Sequence, residues 1–166
     1  MKKLLVAVFD TNNDAFNSSV AINQLHKDGD VTVFGSVVLE KDQQGEVLLK
    51  QSRDNSGESW ALGFLGGSLL GAFTGPAGLA IGASIGSLTG LCFDANRAGV
   101  DIGFIDEVSA AIEPGMTALV LDIEENWITP IDSCVDENKG IVFRRNRSEV
   151  VEDQLERESK AIAEEY

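Results

Sequence analysis

The side chains best suited to chemistry are two groups of carboxylates late in the chain. One group ends a predicted strand and the other lies on a predicted short helix: Asp122, Glu124, Glu125, Asp132, Asp136 and Glu137. Carboxylate oxygens are the ligands that Ca²⁺ and Mg²⁺ prefer, so these clusters raise the question of a divalent cation site. Because the twelve-residue loop pattern of a calcium site is absent, the sequence favours a solvated acidic surface and no metal.

The other reactive side chains are few. His26 is the only histidine and lies in the last turn of a predicted helix, where it interacts favourably with the helix C-terminus, so no zinc centre or catalytic triad is expected. Cys92 and Cys134 are the only cysteines, which favours a reducing compartment. Cys92 lies in an apolar segment and is expected to be a small buried residue. We predict no catalytic residue, no cofactor and no enzymatic activity, since no motif brings a nucleophile, a base and oxyanion donors together.

The charge of the chain limits its partners. The formal net charge is −14 at pH 7, which repels phosphate backbones and argues against a nucleic acid partner. A basic trio, Arg144, Arg145 and Arg147, is expected to be ordinary strand-end surface charge, with anionic lipid headgroups or a neighbour's acidic tail as alternatives. The short motifs "GFLGG" and "GVDIG" lack the lysine of a phosphate-binding loop.

The elements that would position these groups indicate an α+β fold. The patterns predict a strand at 3–9, a helix at 12–27, strands at 31–41 and 46–52, a helix from 101 to the stop at Pro114, and a strand at 116–124. This order is the βαββαβ pattern of a ferredoxin-like head, with a segment inserted between the third strand and the second helix. A short helix and one more strand follow. The domain is predicted to span 1–148, with an acidic helix or tail at 149–166.

The inserted segment, residues 59–93, contains no charged residue. Pro76 lies in "TGPAG" and predicts a helical hairpin with two legs. Glycines recur at every fourth position in both legs, a pattern that we call the glycine ladder: Gly63, Gly67, Gly71, Gly75, Gly78, Gly82, Gly86 and Gly90. Four-residue spacing keeps the glycines on nearly one helix face, where another helix can approach the backbone closely.

The ladder needs a stabilising contact. Each interior glycine costs about 0.8–1 kcal/mol relative to alanine, so the interior glycines of the two legs cost roughly 5–6 kcal/mol together. The whole stability of a domain is only about 5–15 kcal/mol, so close packing must offset this cost. A hairpin offers one internal partner to each leg, and the remaining small face is expected to contact other copies of the chain. The sequence therefore predicts a homo-oligomer.

The sequence leaves the location of the hairpin open. A leg of about 15 residues spans roughly 22 Å, which is less than the hydrocarbon core of about 30 Å. Trp60, at the mouth of the hairpin, is predicted to be an aromatic anchor at the membrane interface. A bilayer-embedded oligomer and a water-soluble assembly that buries the hairpins both satisfy the pattern.

With these segments in order, the chain resembles a bacterial family called domain of unknown function 1269, whose members are often labelled uncharacterised membrane proteins. The resemblance covers roughly residues 3–145 and is most specific in "VAVFDTNNDA", in the glycine ladder and in "FIDEVSAAIEPGMTALVLDI". It implies a ferredoxin-like head that carries a glycine-zipper hairpin, and its label favours a membrane. It supplies no catalytic residues.

The function expected from the sequence is self-association without enzymatic activity. The hairpins of several copies would pack together at the cytoplasmic side of a membrane, with the lipid bilayer as a second partner. One alternative is a soluble cytoplasmic ring or shell that buries the hairpins. Another is a small-ligand sensor in which the hairpin is only a core element.

Overall fold

A computed structural model describes residues 2–54 and 102–146 of the chain. In these two ranges the protein is a mixed α+β structure. Its elements are β1 (Lys2–Phe9), α1 (Asn12–Asp28), β2 (Val31–Lys41), β3 (Val47–Asp54), α2 (Ile102–Ala111), β4 (Thr117–Glu125), α3 (Thr129–Glu137) and β5 (Ile141–Asn146). The type and order of these elements agree with the sequence prediction. The predicted hairpin at 59–93 and the acidic tail at 149–166 lie outside the described residues.

The strands form one five-stranded sheet in the order β3-β2-β4-β1-β5, and every neighbouring pair is antiparallel. β4 is the central strand. Val120, near its middle, lies opposite Val6 on β1 and opposite Val37 on β2. The register of β2 shifts between Val33 and Gly35 where it pairs with β4. The strand order places β3 and β5 at the two edges of the sheet.

The position of β3 differs from the predicted βαββαβ arrangement. In that arrangement the strand after β2 returns to lie between β1 and β2. In the structure β3 pairs with β2 at the sheet edge, and β4 lies between β1 and β2. Burial explains the difference, because β4 is buried at eight of its nine positions, whereas Leu48 and Leu49 on β3 are exposed. A strand that is apolar on both faces suits the centre of a sheet that is covered on both sides.

Helices cover both faces of the sheet. On one side, which we call the α2 face, Phe104, Val108 and Ile112 pack with Leu4, Val6, Val8, Val37, Leu39, Val47, Ala118 and Val120. On the other side, the α1/α3 face, Ala15, Ile22, Ile131 and Val135 pack with Leu5, Ala7, Phe9, Val31, Val33, Val38, Leu119, Leu121 and Ile123. Successive strand residues point to opposite faces, so a sheet covered twice needs an unbroken apolar run. This explains "LLVAVF" in β1.

The ends of α1 are fixed by local hydrogen bonds. The Thr11 hydroxyl accepts a hydrogen bond from the Asp14 backbone N–H at 3.2 Å, which caps the first turn. Gly29 ends the helix with φ +84°, a left-handed conformation that glycine adopts without steric cost. The N–H groups of Gly29 and Asp30 donate to the carbonyls of His26 and Leu25. The chain then turns directly into β2.

The turn between α2 and β4 is hydrogen-bonded to the end of β2. Gly115 has φ +92°, and its N–H donates to the carbonyl of Lys41 at 2.6 Å. The Lys41 N–H donates in turn to the Met116 carbonyl, and the Lys41 ammonium donates to the carbonyl of Ile112 at 3.2 Å. These bonds hold the C-terminal end of α2 beside β2.

Candidate functional site

Residues 55–101 leave the described fold and return to it at the same end of the sheet. Gly35 on β2 lies opposite Asp54, the last residue of β3, and also opposite Asp122 on β4. Asp122 pairs with Leu4, which pairs with Arg145. The Arg145 guanidinium lies 4.9 Å from the ring centroid of Phe104, in the first turn of α2. The end of β3 and the start of α2 therefore belong to one row across the sheet.

We call this end, where Lys2, Glu125 and Asn146 terminate their strands, the Lys2 end. The opposite end, which holds Phe9, Thr117 and Ile141, we call the Thr117 end. Both boundaries of residues 55–101 lie at the Lys2 end.

Contacts on the α2 face hold the first described helix after that segment. Phe104 and Val108 are buried against the sheet. Arg145 donates to the Glu107 carboxylate at 3.0 Å, and both side chains are partly exposed. The Lys41 contact to Ile112 fixes the other end of the helix. α2 is thus held at both of its ends.

A buried ion network lies on the α1/α3 face at the Lys2 end. The Glu125 side chain is fully buried and accepts from Lys3 at 3.0 Å and from Arg144 at 2.9 Å. Arg144 also binds the carboxylate of Asp132 on α3. Burying a carboxylate is tolerable only where cations and hydrogen bonds compensate its lost hydration. The network ties α3 to the ends of β1, β4 and β5.

The predicted solvated acidic surface is wrong for Asp122 and Glu125. Asp122 is completely buried on β4, and Glu125 is 3% exposed within the ion network. Glu124, Asp136 and Glu137 are exposed as predicted. No group of three or more His, Cys, Asp or Glu side chains that could hold a metal ion occurs in residues 2–54 and 102–146.

The basic trio also differs from the prediction of plain surface charge. Arg144 is largely buried between Glu125 and Asp132, and Arg145 is bound to Glu107. Arg147 lies outside the described residues. The sequence did not reveal these partners, which lie 12 to 38 residues away along the chain. The alternation of side chains along a strand was the one sequence signal for these contacts, since it predicts that Arg144 and Arg145 lie on opposite faces of the sheet.

The two described residues with catalytic potential make structural contacts. His26 lies in the last turn of α1, and its Nδ1 accepts a hydrogen bond from the Val33 N–H at 3.2 Å. This bond links α1 to β2. Cys134 on α3 is a partly buried free thiol, and burial together with the nearby Glu137 carboxylate raises its pKa. A raised pKa keeps the sulfur protonated and weakens it as a nucleophile.

The connection between β4 and α3, residues 126–128, also lies at the Lys2 end and is strongly apolar for a loop. Trp127 is 71% exposed and Ile128 is 49% exposed. Three exposed cationic side chains lie at the same end: Lys2, whose ammonium is 4.8 Å from the ring centroid of Phe34, Lys27 in the last turn of α1, and Arg53 near the end of β3. This loop was not predicted from the sequence, although a tryptophan two residues before the "TP" of a helix start is a signal for it.

The residues predicted to form the functional site fall in a part of the chain that the structure does not describe. They are Trp60, Pro76 and the ladder glycines Gly63, Gly67, Gly71, Gly75, Gly78, Gly82, Gly86 and Gly90. Among the helices that the structure does describe, none is long and apolar enough to cross a membrane.

These features define a class of protein. It is an α+β protein whose five-stranded antiparallel sheet is covered on both faces and whose longest intervening segment begins and ends at one end of the sheet. The family model described as "Protein of unknown function (DUF1269)" matches residues 60–160, more than half of the chain, so the protein belongs to this family. No curated protein matches the chain, and no solved structure does.

The matched region differs in extent from the predicted resemblance over residues 3–145. It omits β1, α1, β2 and β3, and thus the "VAVFDTNNDA" stretch. It includes the glycine ladder and the elements from α2 to β5, and it continues into the acidic tail. The family pattern is therefore carried by the second part of the chain.

Proposed function

We propose that this protein is a non-enzymatic, self-associating protein whose glycine-ladder hairpins pack together from several copies at the cytoplasmic face of a membrane. The observation that carries the proposal is the shared position of Asp54 and Phe104 at the Lys2 end. A segment that leaves and returns at one end must reverse its direction. This agrees with a hairpin that has Pro76 at its turn, and it leaves the whole folded head on one side of that hairpin.

We also propose that the head has a ferredoxin-like fold, assembled from elements other than those first expected. β1, α1 and β2 form one split βαβ unit with β4 between the two strands. β4, α3 and β5 form a second unit with β1 between its strands. Both connecting helices pack on the α1/α3 face, which supports this assignment. β3 is then an added edge strand, and α2 covers the opposite face.

Energetic cost supports the self-association. The interior glycines of the ladder cost roughly 5–6 kcal/mol of helix stability, which is comparable to the stability of a whole domain. The described head already covers both faces of its sheet with α1, α2 and α3. Copies of the same hairpin are therefore the simplest source of the close helix contacts that would offset the cost.

Native mass measurement with two substitutions tests the self-association. Gly86→Ala adds one carbon and Gly86→Leu adds four, and both are better helix formers than glycine. If the glycine serves close packing, the oligomer should weaken with Gly86→Ala and dissociate with Gly86→Leu. If neither substitution changes the mass, or if the wild-type protein is a monomer or dimer, the ladder is only a core element. A small-ligand module then becomes the better proposal.

Carbonate extraction of a cell lysate tests the membrane part separately. We expect the wild-type protein to remain in the membrane pellet. Complete release as particles of high mass would contradict membrane association and favour a soluble ring or shell with the hairpins inside.

The Gly86 variants also need a folding control. The far-UV circular dichroism of each variant should match that of the wild type, which separates loss of assembly from loss of folding.

A further inference from the structure

An exposed apolar loop lies at the Lys2 end of the sheet. Trp127 and Ile128 lie between the last residue of β4 and the first residue of α3 and are exposed by 71% and 49%. Tryptophan is a large side chain with a polar N–H, and it is enriched where one side of the ring is apolar and the other is wet. Two adjacent exposed apolar residues of this kind indicate a contact surface.

The loop projects further than the point at which β3 ends. Asp54 lies at the level of Asp122, since both pair with Gly35. β4 continues for three more residues, to Glu125, before the loop begins. At about 3.3 Å per strand residue the loop starts roughly 10 Å beyond the end of β3. The loop is thus placed at the outer limit of the end from which residues 55–101 leave.

We propose that Trp127 and Ile128 insert into the headgroup region of a lipid bilayer and hold the Lys2 end of the sheet against it. This inference rests on the membrane association proposed above and adds the surface of the head that touches the lipid. Residues 55–101, which leave the sheet at this end, contain the uncharged run 59–93, and insertion of that run as proposed above would bring the same end towards the bilayer. Trp127 then lies at the depth at which aromatic anchors concentrate.

The surrounding charge indicates which lipid the surface accepts. The exposed cations at this end, Lys2, Lys27 and Arg53, are balanced by three exposed acids, Asp28, Asp30 and Glu124. The whole chain has a net charge of −14. A negative protein is not drawn to an anionic surface, so insertion of the apolar side chains must provide the attraction. We therefore expect zwitterionic phosphatidylcholine to be sufficient, with no gain from anionic lipid.

Tryptophan fluorescence on phosphatidylcholine vesicles tests the inference in the full chain. The chain has two tryptophans, so Trp60→Phe leaves Trp127 as the only one. We expect this variant to float with the vesicles, its emission to shift to the blue, and lipids brominated near the headgroup end of the acyl chains to quench most of it.

A matched control moves the reporter to the other end of the sheet. Phe16 is 59% exposed near the start of α1, which follows the Thr117 end. In the triple variant Trp60→Phe, Trp127→Phe and Phe16→Trp the only tryptophan is at an exposed position that faces away from the proposed bilayer. We expect it to float with the vesicles while its emission stays unshifted and unquenched.

The outcomes separate the two proposals. If the Trp60→Phe variant floats but Trp127 is neither shifted nor quenched, the loop does not touch lipid and this inference fails while membrane association stands. If the variant and the wild type both stay with the soluble fraction, membrane association fails and the inference fails with it. A blue shift that appears without vesicles as the protein concentration rises would place the loop between copies of the chain and also overturn the inference.

Discussion

Arg144 and Arg145 are adjacent on β5 but bind carboxylates on opposite faces of the sheet. Arg144 contacts Glu125 and Asp132 on the α1/α3 face, and Arg145 contacts Glu107 on the α2 face. The alternation of side chains along a strand makes this possible. One edge strand therefore holds a helix on each side of the sheet, next to the end where residues 55–101 leave and return.

The two arginines should differ strongly in their effect on stability. Arg144→Met leaves the buried Glu125 carboxylate with Lys3 as its remaining cation, and we expect the free energy of unfolding to fall by about 3 kcal/mol. Arg145→Met removes a partly exposed ion pair and a ring contact, and the loss should not exceed about 1 kcal/mol. Urea unfolding followed by far-UV circular dichroism, at one protein concentration, measures both.

Arg144→Lys is the control for charge. It keeps the cation but loses the planar guanidinium that reaches two carboxylates, so its stability should fall between those of the wild type and Arg144→Met. Equal losses for Arg144→Met and Arg145→Met would contradict the buried network as the stronger of the two attachments.

The sequence predicted the elements of the fold but not the order of the strands. Runs such as "KLLVAVF" and "MTALVLDIE" identify strands because short apolar runs bounded by polar residues have few other uses. Strand order depends on contacts between distant residues. Asp122, which is polar in sequence yet buried at the centre of the sheet, is an example, since its burial follows from the strands on both of its sides.

The described site was less predictable than the fold. The alternation of side chains along a strand predicts that Arg144 and Arg145 face opposite sides of the sheet. It does not predict which arginine is enclosed by carboxylates, and the burial of β5 is intermediate at both positions. The exposure of Trp127 was equally hard to predict, because a large aromatic residue after a strand packs inward more often than it stays exposed. The structure has Trp127 exposed since the loop lies beyond both packed faces.

Gly140 should not tolerate a side chain. A Cβ at this position would lie 2.5 Å from Cε1 of Phe9 and 2.5 Å from Cγ1 of Val135. Both neighbours are buried and cannot move aside freely. We expect Gly140→Ala to reduce the free energy of unfolding by about 1–3 kcal/mol, measured by urea unfolding.

A second substitution identifies the cause. Phe9→Leu replaces the ring that the new methyl group would meet with a smaller side chain, and it leaves a small cavity. If the clash causes the loss, the double variant should be less destabilised than the sum of the two single variants. Strict additivity would show that the Phe9 ring does not cause the loss, and would leave the contact with Val135 as its source.

Cys134 should react slowly with thiol reagents. Burial, assisted by the Glu137 carboxylate, raises its pKa, so the reactive thiolate is scarcer than in an unfolded chain. In the Cys92→Ser background, where Cys134 is the only cysteine, a disulfide reagent such as Ellman's reagent at pH 8 should modify the folded protein more slowly than the urea-unfolded one. Indistinguishable rates would contradict the raised pKa and the burial that causes it.

Glu40 should make the stability of the protein depend on pH in the acid range. Its carboxylate lies 2.6 Å from the Lys50 ammonium, and hydrogen bonds from Lys50 and Asn12 lower its pKa. A carboxyl whose folded pKa is depressed contributes its stability above the unfolded value, near 4.3, and loses that contribution as pH falls through the folded pKa. Because Lys50 is partly exposed, the contribution at pH 7 should be modest, about 0.5–1 kcal/mol.

Glu40→Gln should therefore be less stable than the wild type at pH 7 by this amount. The two proteins should converge when urea unfolding is repeated at successively lower pH below 4, whereas a constant difference across that range would contradict the lowered pKa.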